Sequence, residues 1–155
     1  MFFFDACARR YFDYDSKKSG ASTICHLRFS EDPITDSYLI PDHTAQFVAC
    51  HFPYMVNTHD MMKKIAPGGT FLMNSTVPAA EIWDTLPLEV QQGMLEKDVK
   101  FYVVNAQKVA REAGMGRRVN TIMQACFFAL SNILPKVSGA HMCNKQRALL
   151  VVCCK

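Results

Sequence analysis

Short apolar runs alternate with stretches of helical periodicity along the middle of the chain. The apolar runs are bounded by turn residues, as is typical of strands that are covered on both faces. They cover residues 45–50, 70–74 and 100–104, and Pro67-Gly68-Gly69 predicts a turn before the second run. The remaining stretches predict helices over residues 54–64, 81–86, 87–97 and 105–113, the last of which is ended by Gly114. This alternation predicts an α/β domain with a Rossmann-like, mainly parallel sheet flanked by helices, which binds ligands at the carboxyl ends of its strands.

The clearest amphipathic pattern ends just before Pro135. Thr121 and Gln124 match a capping box, so we expect the helix to begin near Thr121 and to leave Asn120 facing a ligand. The apolar positions of one helical face are Val119, Ile122, Met123, Cys126, Phe127, Leu130, Ile133 and Leu134. The pattern predicts a helix that packs against the sheet along this face.

Outside this alternating region the signals are weaker. Alternation over residues 22–29 predicts a strand with one apolar face, and an aromatic run over residues 11–15 predicts another. Residues 136–155 have no clear period, and the apolar residues 149–154 near the end are left unassigned.

The composition narrows the possible classes of protein. A chain of 155 residues, half of them hydrophobic, fits one domain with a packed core. A net charge of +3 without a basic patch argues against a nucleic-acid-binding protein. No apolar run is long enough to span a membrane, and no cationic segment precedes the first apolar residues as in a secretory signal. Seven cysteines without a Cys-x-x-Cys pair favour reduced thiols, and no metal site is predicted.

A short cationic loop over residues 15–20 is the first candidate for chemistry. Lys17, Lys18 and Ser19 precede Gly20, which allows the backbone to turn sharply or to approach a ligand closely. Ammonium and hydroxyl groups of this kind can donate to phosphate oxygens. The alternative is a solvated hairpin loop, and the loop taken alone favours that alternative.

A second candidate lies over residues 114–120, before the amphipathic helix. Arg117 and Arg118 supply two guanidinium groups and Asn120 supplies an amide, next to a helix N-terminus whose free N–H groups attract anions. The alternative is a connecting loop with solvated arginines, and the sequence favours neither. His51 follows a buried run, where it could line a cleft, but it is interpreted as structural. Residue chemistry alone therefore predicts an α/β domain with two candidate anion-binding loops.

Taken together, these stretches resemble the γ domain of pyruvate:ferredoxin oxidoreductase. The most specific are YDSKKSG at residues 14–20 and NTIMQ at residues 120–124. Further matching stretches occur in the same order at residues 26–29, 47–51, 67–75, 100–104, 110–114 and 119–130. The resemblance covers residues 11–135 and points to the pyruvate-specific (ferredoxin or flavodoxin) members of the 2-oxoacid oxidoreductase family.

The resemblance implies an activity for the whole enzyme. Pyruvate is oxidatively decarboxylated, the acetyl group is transferred to coenzyme A, and electrons pass to ferredoxin. The γ domain contributes to coenzyme A binding, with Lys17, Lys18 and Ser19 on the phosphates and Asn120 on the same ligand. Arg117 and Arg118 are possible phosphate contacts. Thiamine diphosphate and 4Fe-4S clusters are expected only in other domains of this cytoplasmic or anaerobic-organelle enzyme.

The ends of the chain depart from the family pattern. Residues 1–10 replace a glycine-rich phosphate-contacting segment, and residues 136–155 form an atypical tail. We therefore expect a fragment that is not active alone and whose partners are other domains or subunits of the oxidoreductase, with ferredoxin reached indirectly. The alternative is a non-catalytic interaction module, or a truncated product, that docks onto oxidoreductase subunits.

Overall fold

The computed structural model describes residues 7–14, 22–30, 33–35, 39–131 and 150–154. Within these ranges the chain forms one sheet with helices packed on both faces. The strands are β1 (Cys7–Tyr14), β2 (Thr23–Ser30), β3 (Ala45–Cys50), β4 (Ile65–Asn74), β5 (Lys100–Val104) and β6 (Leu150–Cys154). The helices are a 3₁₀ helix (Pro53–Asn57), α1 (Met61–Lys64), α2 (Ala79–Thr85), α3 (Leu88–Glu96), α4 (Ala106–Glu112) and α5 (Val119–Ser131).

The strand order across the sheet is β1-β2-β6-β3-β4-β5. Strands β6, β3, β4 and β5 run parallel to one another, whereas β2 is antiparallel to both β1 and β6. Parallel strands need crossover connections, and helices supply them between β3 and β5. The predicted α/β architecture, with a mainly parallel sheet flanked by helices, is confirmed.

The sheet is apolar on both faces because each face has its own helical cover. Val48 and Phe71 belong to the core cluster that includes buried residues of α1, α2 and α3. Phe47 and Leu72, their neighbours in sequence, belong to the opposite cluster with Phe127 of α5. Neighbouring side chains along a strand point to opposite faces, so the central strands must be apolar at nearly every position.

Two predicted elements differ from the observed ones. The single helix predicted over residues 54–64 is divided into the 3₁₀ helix and α1, because Asp60 caps α1 by accepting a hydrogen bond from the Lys63 N–H at 2.9 Å. The turn predicted at Pro67-Gly68-Gly69 lies within β4, where the pairing with β3 shifts register and Gly68 has a φ of 70°.

The segment near the carboxyl terminus has a central position in the sheet. Residues 150–154, which the sequence left unassigned, form β6 and pair with β2 on one side and β3 on the other. The strand predicted over residues 11–15 matches β1 over residues 11–14, and β1 begins earlier, at Cys7; residue 15 lies outside the described residues. Both ends of the described chain therefore contribute to the same sheet as its middle.

Candidate functional site

The carboxyl ends of β3, β4 and β5 lie along one edge of the sheet, and residues at the ends of β3 and β4 form the floor of a cleft of about 820 Å³. His51 and Phe52 follow β3, and Asn74 is the last residue of β4. The other wall comes from α4 and from the connection into α5. This is the edge at which parallel α/β sheets bind ligands, as the sequence predicted for this fold class.

Asn74 holds the floor of the cleft together. Its side chain is only 2% exposed, and its amide donates to the His51 carbonyl at 3.0 Å. Its side-chain oxygen accepts from the Ala106 N–H, also at 3.0 Å. One side chain thus links the end of β3, the end of β4 and the start of α4. An amide suits this position because it offers a donor and an acceptor at once.

Three arginines line the cleft: Arg111 near the end of α4, and Arg117 and Arg118 in the connection that follows. Side chains on either side of the turn after α4 are thereby brought to one cavity. All three are exposed at the surface, and Arg111 also donates from Nε to the Gln107 carbonyl at 3.3 Å. Guanidinium groups carry several donors in a fixed plane and suit phosphate or carboxylate ligands.

The turn after α4 explains why the arginines meet. The Gly114 N–H donates to the Arg111 carbonyl at 3.1 Å, and the Met115 N–H donates to the Ala110 carbonyl at 2.8 Å. This is the bonding pattern of a Schellman motif, and Gly114 supplies the required left-handed conformation with a φ of 69°. The prediction that Gly114 ends the helix is confirmed.

Helix α5 begins at Val119, so the predicted start near Thr121 is wrong. Val119 packs against the core cluster on this face of the sheet, and this tertiary contact outweighs the local capping-box pattern. Asn120 consequently lies in the first turn of α5 and is exposed at the cleft. The free N–H groups of a first helical turn carry partial positive charge, which adds to that of the arginines.

A smaller cavity of about 250 Å³ adjoins the cleft. Both cavities include His51 and Asn120 in their walls, and the smaller one is mainly apolar, with Phe29, Phe127 and Phe128 among its side chains. His51, interpreted from the sequence as structural, therefore lies where a cationic cleft meets an apolar pocket. Together the two cavities suit a ligand with anionic groups and an apolar part.

Lys17, Lys18 and Ser19, the other predicted site residues, lie outside the described residues. The residues on either side are described: Tyr14 ends β1, Thr23 begins β2, and the two are paired. Through β6, the beginning of β2 aligns with the carboxyl end of β3. The strands that flank the predicted loop therefore reach the same edge of the sheet as the cleft.

Sequence reasoning missed several residues of the cleft. Arg111 falls in the matching stretch at residues 110–114 but is not among the predicted site residues, and Phe52 has no predicted role. The spacing of Gln107 and Arg111, one helical turn apart, places both on one face of α4 and was the available signal. Nothing in the sequence showed that this face meets Arg117 and Arg118.

Among the described residues, no three His, Cys, Asp or Glu side chains are grouped so that they could hold a metal ion. None of the helices in the described ranges has the length and apolar character needed to cross a membrane.

Comparisons with known proteins agree on one family. The model of the family described as pyruvate ferredoxin/flavodoxin oxidoreductase matches residues 7–147. A pyruvate-flavodoxin oxidoreductase of Trichormus variabilis is 52% identical over 129 residues, 83% of this chain and 11% of the relative. A pyruvate:ferredoxin oxidoreductase of Moorella thermoacetica is 46% identical over 131 residues, 84% of this chain and 11% of the relative.

A mitochondrial pyruvate dehydrogenase [NADP(+)] of Euglena gracilis is 39% identical over 142 residues, which are 92% of this chain and 8% of the relative. The chain thus spans about a tenth of the length of these much larger relatives.

Proposed function

The chain belongs to the pyruvate ferredoxin/flavodoxin oxidoreductase family, and from this premise we propose that it forms the coenzyme A-binding part of such an enzyme. In the proposed reaction, pyruvate is oxidised and loses carbon dioxide, its acetyl group forms a thioester with coenzyme A, and the electrons pass to ferredoxin. The curated relatives are named as pyruvate oxidoreductases, which supports this reaction. Residence in the cytoplasm or an anaerobic organelle stays a prediction from the resemblance.

The observation that carries the proposal is the arginine cluster at the carboxyl edge of the sheet. Coenzyme A bears a diphosphate and a 3′-phosphate, so it needs several cationic or N–H donors within one site. Arg111, Arg117 and Arg118 lie in one cleft beside the first turn of α5. Charge-assisted hydrogen bonds from such groups are the strongest polar contacts that a surface cleft offers to phosphate.

The roles proposed for the other site residues follow from their positions in the fold. Asn120 offers an amide at the junction of the cleft and the apolar pocket, where it can bond the ligand between its anionic and apolar parts. Lys17, Lys18 and Ser19 are proposed as further phosphate contacts, and the strands flanking them reach the same edge. These residues bind and orient coenzyme A. Thiamine diphosphate and the iron–sulfur clusters supply the redox chemistry in other parts of the enzyme, and we assign no residues of this chain to them.

Calorimetric titration of the full chain with coenzyme A tests the proposal. We expect saturable binding that weakens with dephospho-coenzyme A, because one phosphate and its contacts are removed. The double variant Arg117→Glu/Arg118→Glu should weaken binding about 100-fold, at roughly tenfold for each lost charge-assisted contact. Lys108→Glu is the matched control, since Lys108 is exposed on α4 and lies outside the cleft.

A folded wild-type chain that does not bind coenzyme A would contradict the proposal. Equal affinities of the wild type and the double arginine variant would contradict the assignment of the site.

A second candidate function is docking onto other oxidoreductase subunits without ligand binding. It is favoured by Leu88 and Leu95, two large apolar side chains that are exposed on α3, seven residues apart in sequence. If docking is the function, the chain should co-purify with the large subunits, and Leu88→Ser/Leu95→Ser should abolish this association.

A further inference from the structure

Phe52 is an aromatic residue that the proposed phosphate contacts leave without a role. It is 46% exposed and lies in the wall of the arginine cleft. Its ring is next to that of Tyr54, which is 55% exposed, with 5.9 Å between the ring centroids. These two neighbouring rings, of which Phe52 lines the cleft, form an exposed apolar surface, and such surfaces commonly mark a binding site.

The backbone at Phe52 is held in place from both sides. Its carbonyl accepts a hydrogen bond from the Met55 N–H at 3.0 Å and another from the thiol of the buried Cys50 at 3.0 Å. Pro53 follows, and the residue before a proline is restricted to the extended conformation that Phe52 adopts, with φ −126° and ψ 122°. The ring is therefore presented from a fixed backbone, so no backbone segment has to be ordered here when a ligand binds.

We propose that Phe52 is a stacking platform for a planar base, so that the arginine cleft takes the nucleotide half of its ligand. This inference rests on the proposed binding of coenzyme A, and it assigns the nucleotide half and the pantetheine half of the ligand to different cavities. An aromatic face beside guanidinium groups matches a base attached to phosphates, and base–aromatic stacking adds affinity whichever base is present. The pantetheine arm has no aromatic ring to stack on Phe52, and the neighbouring apolar pocket behind His51 and Asn120 suits its chain.

The test compares three ligands by calorimetry on the full chain: coenzyme A, adenosine 3′,5′-bisphosphate and 4′-phosphopantetheine. Phe52→Leu keeps an apolar side chain but removes the ring face. We expect it to weaken coenzyme A and the adenosine bisphosphate by about 10- to 100-fold, and to leave phosphopantetheine unchanged. Phe52→Tyr keeps a ring face and should restore affinity. Tyr102→Leu is the matched control, because Tyr102 is an exposed aromatic residue on β5 outside the cleft.

A comparison of two ligands on the wild-type chain tests the same proposal and does not depend on the folding of Phe52→Leu. The wild-type chain should bind adenosine 3′,5′-bisphosphate at least tenfold more tightly than ribose 3,5-bisphosphate, which lacks the base. Equal affinities for these two ligands, or full coenzyme A affinity in a folded Phe52→Leu chain, would overturn the platform while leaving coenzyme A binding intact. Absence of coenzyme A binding to the wild type would instead overturn the function from which the inference proceeds.

Discussion

Replacing Asn74 with alanine should destabilise the protein more than the loss of one surface polar group. The Asn74 side chain makes two hydrogen bonds, to the His51 carbonyl and from the Ala106 N–H, and both are 3.0 Å long. Alanine leaves both backbone groups without this partner. The bond with Ala106 is buried, whereas the bond with His51 is only partly buried, so water can replace some of the second bond.

The expected loss in the free energy of unfolding follows from the two backbone groups that lose their partner, the His51 carbonyl and the Ala106 N–H. A buried polar group left unpaired costs about 1–3 kcal/mol. Taking about 1 kcal/mol for the partly buried carbonyl and the full range for the buried N–H gives an expected loss of about 2–4 kcal/mol in the free energy of unfolding. The same change should also weaken coenzyme A binding, because Asn74 fixes the positions of β3 and α4 on either side of the cleft.

Urea denaturation followed by circular dichroism measures the effect, with an unchanged slope indicating that only stability has changed. Asn105→Ala is the matched control. The Asn105 side chain accepts one exposed hydrogen bond, from the Lys108 N–H at the start of α4, and its loss should cost about 1 kcal/mol. If Asn74→Ala costs no more than Asn105→Ala, the bridge across the strand ends does not stabilise the cleft as we infer.

Two further predictions concern the rest of the fold. His26 is 4% exposed, and its Nδ1 accepts a hydrogen bond from the Ile40 N–H; burial lowers the pKa of its side chain. The unfolded chain therefore binds the proton more tightly than the folded one. The free energy of unfolding should fall as the pH drops below the ordinary histidine pKa of about 6.5. His26→Gln should remove this slope in denaturation curves recorded from pH 8 to pH 5, and an unchanged slope would assign it to other groups. The Lys97 ammonium donates to the Met62 and Ile65 carbonyls; Lys97→Met should cost about 1–3 kcal/mol, and a shift in the thermal midpoint within error would contradict that role.

Local sequence was sufficient where a segment's own composition decided its structure. Strands β3 and β5 have the predicted bounds, because short apolar runs between turn residues have few other stable conformations. The apolar face predicted for α5 also packs as expected through Met123 and Phe127. Gly114 ends α4 as predicted, because the left-handed conformation at that position strongly favours glycine.

Local sequence was insufficient where distant segments compete or cooperate. The capping box at Thr121 predicted a later start for α5, but packing of Val119 on the sheet extends the helix to that residue. The position of β6 between β2 and β3 depends on pairing with strands more than a hundred residues earlier in the chain. No periodicity within residues 150–154 encodes which neighbours they will find.

The candidate site likewise depends partly on local sequence and partly on contacts between distant segments. The sequence alone predicted an α/β domain, the edge at which sheets of this class bind ligands, and the basic character of the segment before α5. Only the tertiary structure placed His51, Phe52 and Asn74 in the same cleft as Arg111, Arg117 and Arg118. The physical reason is that strand and helix patterns reflect interactions within a few residues, whereas a cavity is defined by side chains that approach one another only after the sheet has assembled.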